Sequence, residues 1–479
     1  MTKWFRRIFS QIGSLNRLDK DALERKSPLD TLMISISGIR GIVGESLTPE
    51  VITRFALAFG TLVKGGKVVV GRDTRQSGLM IKHGVFMGLI STGCQVVDLD
   101  ICTAPSCSMM VQELGASGAV MITGSHNPIE WNALKFMNSR GDILNETEGR
   151  ELLDLYYGGD FAKASWNSLV PVREDYSTAE KHIARVLAVT DADKIRKANI
   201  KVVLDSCNGA GSVITPMLLA RMGCEVVKIH CVPDGLFPHN PEPLFVNLGD
   251  LCTKVQLEQA DVGFAQDADA DRLAIVDEKG HYLGEEYTLA LAADYALARR
   301  PGPMAINMST SRANEEIAAR YGCPIYRTKV GEANVAEKMR QAGCVIGGEG
   351  NGGVIDPRIH YVRDSLAAIA LALSALAEEG KPLSRIVSHL PQYHMVKLKV
   401  ECHRDLAARL IEKVRQAHPD GRADTLDGLR IDWDDSWVHV RPSNTEPAVR
   451  VIAEAKTKKK AQAIAKGIVE MAEDMIKSQ

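Results

Sequence analysis

Four short strings in this sequence bring together residue types that can handle a phosphoryl group. The first is Thr123-Gly124-Ser125-His126-Asn127-Pro128, where the apolar run Val120-Met121-Ile122 breaks into a glycine, a hydroxyl, an imidazole and an Asn-Pro turn. Such a break sets a side chain at a strand end, exposed over a domain edge. A serine there can carry a covalent phosphoryl group if a base and a cation are close, which splits one difficult transfer into two easier ones. His126 has the near-neutral intrinsic pKa of a proton carrier, and Lys135 adds a cation. A turn serine that caps a backbone amide accounts for the same string equally well.

The second string is Asp267-Ala268-Asp269-Ala270-Asp271-Arg272, between two strand-like runs, Asp261 to Ala265 and Leu273 to Val276. In an extended loop, alternate residues aim three carboxylates at one point, which is repulsive unless a hard cation such as magnesium sits there. A calcium EF-hand fits less well. Glu278 falls at its twelfth position, but Arg272 replaces the required glycine and the flanks are not helical. A solvated acidic turn is the remaining reading.

The third, Gly347-Gly348-Glu349-Gly350-Asn351-Gly352-Gly353, surrounds one carboxylate and one amide with glycines. Backbone can approach a ligand closely there, with Glu349 and Asn351 offered to sugar hydroxyls, although a flexible surface turn reads the same way. The fourth, His439-Val440-Arg441-Pro442-Ser443-Asn444-Thr445-Glu446-Pro447, joins two apparent strands, with Arg450 beyond. Arginine, hydroxyls and exposed amides suit a phosphate dianion, and a proline-framed turn with a solvent arginine is the alternative. Arg40 and the Gly71-Arg72-Asp73-Thr74-Arg75 loop add candidate anion contacts.

These strings need elements to position them. Three β-rich runs end in polar turns, at Lys67 to Asp73, Lys201 to Cys207 and Pro303 to Ser309, and helical stretches such as Glu50 to Leu62, Ser77 to Thr92 and Arg312 to Tyr321 accompany them. That alternation predicts three related α/β units. The last ninety residues are richer in strands and predict a separate α+β domain. With 479 residues the chain exceeds one hydrophobic core. The expected division is an N-terminal extension over 1–31, α/β domains over 32–175, 176–283 and 284–391, and an α+β domain over 392–479.

The extension repeats Trp4, Phe5, Ile8, Phe9, Ile12 and Leu15 beside basic residues, which predicts an amphipathic helix. Lys and Arg number 58 against 60 Asp and Glu, so no global field advertises nucleic acid or an anionic membrane. Ten scattered cysteines, with no apolar membrane span and no signal-peptide core, point to reduced thiols and cytoplasmic residence.

In this order, the four strings resemble the motifs of the α-D-phosphohexomutase superfamily, from about Ile34 to near the C-terminus. The resemblance implies four domains around a central cleft, three mixed α/β and a fourth related to the TATA-binding-protein fold. It implies that Ser125 is the phosphoserine, that Asp267, Asp269 and Asp271 bind Mg2+ together with the serine phosphate, and that Lys135 and Arg272 flank the phosphoryl group. Glu349 and Asn351 match the sugar-binding loop, while Arg441, Ser443, Asn444 and Thr445 match the loop that grips the non-reacting phosphate.

The implied chemistry is a ping-pong exchange between hexose 6-phosphate and hexose 1-phosphate through a 1,6-bisphosphate, which also serves as activator. Arg40 adds fixed charge, and His126 or Lys135 moves the proton. Small sugar phosphates are the expected partners, and the chain is expected to be a monomer or homodimer.

Bacterial glucosamine-type and mannose/glucose-type members often read Gly-Glu-Gln-Ser-Gly-His and Gly-Glu-Met-Ser-Gly-His in the sugar loop. Here Asn351 and Gly353 replace the serine and histidine. The loop looks more like archaeal and divergent bacterial members, and the stretch with Trp131 and Ala133 resembles the divergent glucosamine group. Glucosamine phosphate is therefore the expected substrate, with mannose or glucose phosphate the alternative. A serine-phosphate hydrolase or a non-catalytic sugar-phosphate binder stands further off.

Overall fold

The computed structural model of the chain describes residues 31–35, 38–402, 404–443 and 448–477. The expected N-terminal helix, and Asn444 and Thr445 of the last loop, lie outside the described residues.

The β-branched run Lys67–Arg72 forms an inner strand of a seven-stranded sheet, parallel to Gln95–Ile101 on one side and Gly118–Ile122 on the other. Val68, Val69 and Val70 are fully buried, because helices cover both faces, and the run is therefore continuously apolar rather than alternating. The helix Pro49–Leu62 begins as its sequence dictates, with proline in its first turn and the Thr48 hydroxyl capping the Val51 amide. After Gly118–Ile122 the chain turns back antiparallel as Trp131–Met137, and the connection between them carries Ser125.

This arrangement recurs twice. Lys201–Asp205 lies parallel to Val262–Gln266, which returns antiparallel as Leu273–Asp277. Met304–Asn307 lies parallel to Ile346–Glu349, which returns as Gly353–Ile355. In each unit the motif sits in the connection between the last parallel strand and its antiparallel return. The three apolar runs noted in the sequence are thus equivalent strands of three units of one topology.

The C-terminal unit is a five-stranded antiparallel sheet in which His394–Glu401, Ala448–Ala455, Ser436–Pro442, Leu429–Asp432 and Arg422–Asp424 follow one another. The helices Arg404–Ala417 and Lys458–Lys477 pack on it. The short strand Arg422–Asp424 carries no apolar signal, since all three residues are exposed. No helix among the described residues is long and apolar enough to cross a membrane.

Buried polar contacts fix the units to one another. Asp364 Oδ2, beside the third sheet, accepts from His182 Nε2 at 2.9 Å and His360 Nε2 at 3.0 Å, and His182 Nδ1 lies 2.8 Å from Ser106 Oγ of the first unit. The C-terminal sheet docks through the Arg312 amide on Glu454 at 2.9 Å, Arg312 Nη2 on Asp432 at 2.9 Å and Arg430 on the Met308 carbonyl at 2.5 Å. These ties set the distance between the four motif loops.

Candidate active site

Ser125 adopts φ 48°, a left-handed conformation that costs a residue with a Cβ, and three groups hold it there. The Thr123 hydroxyl accepts from the Ser125 amide at 2.8 Å and donates to Asp73 Oδ2 at 2.7 Å. The Arg75 guanidinium donates to the carbonyls of Ser125, Asn127, Pro128 and Trp131 at 2.6–3.0 Å and pairs with Asp73 at 3.1 Å. A Cβ on Gly124 would lie 2.7 Å from the Arg75 guanidinium carbon, so only glycine admits that arginine.

The loop at 71–75 therefore offers no anion contact of the kind the sequence suggests. Arg75 is consumed by the backbone it organises, and Arg72 pairs with Asp100 at 2.9 Å. Thr123→Val keeps the shape but strands the Ser125 amide and one Asp73 oxygen. The expected result is a loss of about 1–3 kcal/mol in urea denaturation and a fall in turnover with KM little changed.

Ser125 is not exposed over a domain edge. It is 7% accessible, because the loop of the second unit lies on it and Asp267 Oδ2 accepts from Ser125 Oγ at 2.9 Å. The three aspartates do converge, although by a turn rather than by alternation along an extended strand. Ala270 has φ 55°, and its amide bonds the Asp267 carbonyl at 3.1 Å. One oxygen from each of Asp267, Asp269 and Asp271 lies within 4.8 Å of the others, and all three residues are buried.

Asp269 Oδ1 and Asp271 Oδ1 are buried and have no hydrogen-bond partner. Burial and the adjacent carboxylates of Asp271 and Asp269 push the Asp267 carboxyl well above the usual range. An all-oxygen, acidic and unsatisfied donor set of this kind fits magnesium.

Cations ring this cluster. Lys135 Nζ donates to Asp269 at 2.6 Å and lies 3.5 Å from Asp271, and against the effect of burial these two carboxylates raise its pKa. Arg272 donates its amide to Asp267 at 3.2 Å, while its buried Nε lies 3.8 Å from Asp271 Oδ1 and makes no hydrogen bond. Arg40 faces Ala133 across the neighbouring strand, two residues from Lys135, and burial and Arg272 lower its pKa. His126 Nδ1 is 3.4 Å from Ser125 Oγ, and Arg272, burial and Arg40 hold this imidazole well below its ordinary pKa.

The third motif is not a flexible turn. Glu349 ends a buried strand, with Oε1 accepting from Asn307 Nδ2 at 2.7 Å and the Gly331 amide at 3.0 Å. Arg363 links it to the metal cluster, with Nη1 on Glu349 at 2.6 Å and Nη2 on Asp271 at 2.6 Å. Its amide donates to Glu332 at 2.7 Å. Nothing in the strings around Arg363, Asn307 and Glu332 signals their parts in the site, and the loop with Asp73 and Arg75 reads in the sequence as an anion contact rather than as support for Ser125. The Asn351 Oδ1 atom is buried without a partner.

In the fourth motif, Arg441 and Arg450 stand directly opposite on adjacent strands. Like charges so placed repel, and an anion between them removes the repulsion. Burial and Arg450 lower the Arg441 pKa while Asp427 opposes them, and its buried Nε lacks a partner. Ser443 is buried at the end of the same strand.

Comparison with known proteins matches this geometry at every unit. The α/β/α domains I, II and III of phosphoglucomutase/phosphomannomutase match residues 33–163, 180–280 and 284–393, and the C-terminal domain matches 395–471. A probable phosphoglucosamine mutase of Methanopyrus kandleri is 40% identical, covering 89% of this chain and 94% of that one. A phosphoglucomutase/phosphomannomutase of Thermococcus kodakarensis is 38% identical over 92% and 98%. The crystal structure of a phosphoglucomutase/phosphomannomutase family protein from Burkholderia thailandensis superposes with a TM-score of 0.80 at 27% identity, covering 94% and 98%. With all four domains matched in that order, the chain belongs to the phosphoglucomutase/phosphomannomutase family of phosphohexomutases.

Proposed function

We propose that this enzyme interconverts glucosamine 6-phosphate and glucosamine 1-phosphate through a phosphoserine at Ser125. The observation that carries the reading is Ser125 Oγ, buried and 2.9 Å from Asp267, inside a ring of Lys135, Arg272 and Arg40. Asp267, Asp269, Asp271 and the Ser125 oxygen are the groups that would hold Mg2+, which when bound supplies fixed positive charge against the phosphoryl oxygens. The domains are taken as 32–175, 176–283, 284–391 and 392–479, one motif from each.

In the forward half-reaction the bond from phosphorus to Ser125 Oγ breaks as a bond forms to the sugar O1. The proton of that hydroxyl passes by way of His126, whose Nδ1 lies 3.4 Å from Ser125 Oγ, to the departing serine oxygen. In the return, the 6-phosphoryl of the bisphosphate moves to Ser125 Oγ, and the serine proton passes back by way of His126 to the departing O6. Lys135, Arg272 and Arg40 remain in place throughout and stabilise charge on the loose transition state without reorganising. Glu349 and Asn351 orient the sugar hydroxyls. Arg441, Ser443, Asn444, Thr445 and Arg450 hold the phosphate that does not react, first at C6 and then at C1.

The test is a panel of glucosamine, N-acetylglucosamine, glucose and mannose phosphates, assayed with catalytic hexose 1,6-bisphosphate as activator. Glucosamine phosphate is expected to give the highest kcat/KM. The Thermococcus relative supports a second reading as a phosphoglucomutase/phosphomannomutase, which a higher kcat/KM for glucose or mannose phosphate would establish. Steady release of inorganic phosphate without isomerisation would overturn the mutase reading. Arg441→Met removes a grip shared by ground and transition states, so KM is expected to rise about tenfold to a hundredfold with a smaller change in kcat.

A further inference from the structure

A second cluster of ligating groups lies in the second unit, outside the phosphoryl site. Asp205 ends its strand, His230 follows the neighbouring strand Glu225–Ile229, and His239 sits in the loop beyond. Asp205 Oδ1 accepts from the Cys207 amide at 2.9 Å. Its other oxygen, Oδ2, faces both His230 Nδ1 at 2.9 Å and His239 Nε2 at 3.2 Å. The three ligand atoms lie within 4.8 Å of one another.

The opposite nitrogen of His239 defines what Nε2 needs. Nδ1 lies 2.8 Å from the Asn240 carbonyl, which can only accept, so Nδ1 carries a proton. In the neutral ring Nε2 then presents a lone pair to a carboxylate oxygen, so this side calls for positive charge, either a second proton on Nε2 or a bound cation. A carbonyl on the remote nitrogen is also the partner that orients metal-bound imidazoles. His230 has its remote Nε2 3.7 Å from Asp250.

We propose that Asp205, His230 and His239 form a second metal site, selective for zinc or a similar divalent transition metal. Two imidazoles and one carboxylate suit that class and leave a position open, whereas the oxygen-only set at Asp267, Asp269 and Asp271 suits magnesium. The Asp205 side chain is 1% accessible and those of His230 and His239 are 21% and 15% accessible, so the ligands are fixed yet reachable from solvent.

The position gives such a metal a positioning role. It ties down the loop over 230–243, whose Phe237 ring lies 4.7 Å from the Arg75 guanidinium and whose Glu242 lies 3.9 Å from Arg272. Thr74 also donates to the Asn208 carbonyl at 2.8 Å, beside the cluster. Arg75 holds the Ser125 loop, so the metal would clamp the second unit onto the support of the nucleophile.

The full-length protein, stripped with chelator and supplied with excess Mg2+, is titrated with Co2+ and followed by visible absorption and metal analysis. One tightly held Co2+ per chain, with the intense ligand-field bands of a nitrogen-containing low-coordinate site and bleaching by one equivalent of Zn2+, is the expected result. His230→Gln and His239→Gln are each expected to lose these bands while keeping the parent's near-ultraviolet dichroism. Zn2+ is expected to raise Tm of the parent but of neither variant. Absence of the bands from the parent overturns the proposal whatever the variants do. Bands that survive in both variants overturn it as well, and an imidazolium at His239 then supplies the positive charge.

Discussion

Ser125→Ala is expected to lower kcat/KM for hexose-phosphate exchange by at least about four orders of magnitude while leaving the protein folded. The serine hydroxyl makes its contact with Asp267, whereas the backbone at 125 is held by Thr123 and Arg75, which the substitution does not touch. Alanine also carries a Cβ, so the left-handed φ is not newly penalised. Two measurements separate the nucleophile from a structural turn serine. Intact mass after incubation with hexose 1,6-bisphosphate is expected to show one added phosphoryl group on the parent and none on the variant. Denaturant unfolding is expected to shift by no more than about 1 kcal/mol, the worth of one hydrogen bond. A variant with parental turnover, or one that still acquires the phosphoryl mass, contradicts the mechanism.

The four strings were legible because each is a local event, a strand that ends in residues unable to continue it. The shared topology of the three α/β units places those ends together, and the runs at Val68, Val202 and Ile306 carried that topology in their apolar character. What the strings do not contain is their support. Arg72 and Arg75 look like anion contacts because an arginine in a polar loop is exposed by default. Here Arg75 is fully inside the protein, drawn in by four carbonyls from a segment some fifty residues away.

Ser125 looked exposed for the same reason, since its own hexapeptide does not encode the second unit that covers it. The convergence of the aspartates was foreseen from alternation, yet it depends on a left-handed alanine, and backbone of that kind leaves no mark on residue type. Arg363 lies between Val362 and Asp364 with no motif around it. Its importance exists only once Glu349, Asp271 and Glu332 arrive from three directions.

Arg363→Met is for that reason expected to be the most damaging change outside the nucleophile and the metal cluster. The guanidinium lies within hydrogen-bonding or ion-pairing reach of three carboxylates, at 2.6 Å from Asp271, 2.6 Å from Glu349 and 3.4 Å from Glu332. Burial opposes its charge, but Asp271, Glu332 and Glu349 together raise its pKa well above the ordinary value. Methionine fills much of the volume and strands these acids, so a loss of about 3–5 kcal/mol in urea denaturation is expected.

The pH dependence distinguishes this account from a packing defect. Burial would raise the Glu349 pKa, but Arg363 and the Asn307 amide hold it below the usual carboxylate range. A group so depressed stabilises the fold above its unfolded pKa, and that stabilisation is lost as pH falls through its folded value. The gap between parent and variant is therefore expected to be widest near neutrality and to narrow in acid below about pH 4, the ordinary glutamate value. A gap that stays constant with pH would assign the loss to packing.

Turnover is expected to fall about a hundredfold to a thousandfold in the same variant, since Arg363 ties the sugar loop to the metal cluster and sets the sugar oxygen against the phosphoryl group. Arg363→Lys keeps the charge but cannot bridge Asp271 and Glu349 at once. It is expected to recover part of the stability and little of the rate, which places the bidentate bridge, rather than the charge alone, in the path of catalysis.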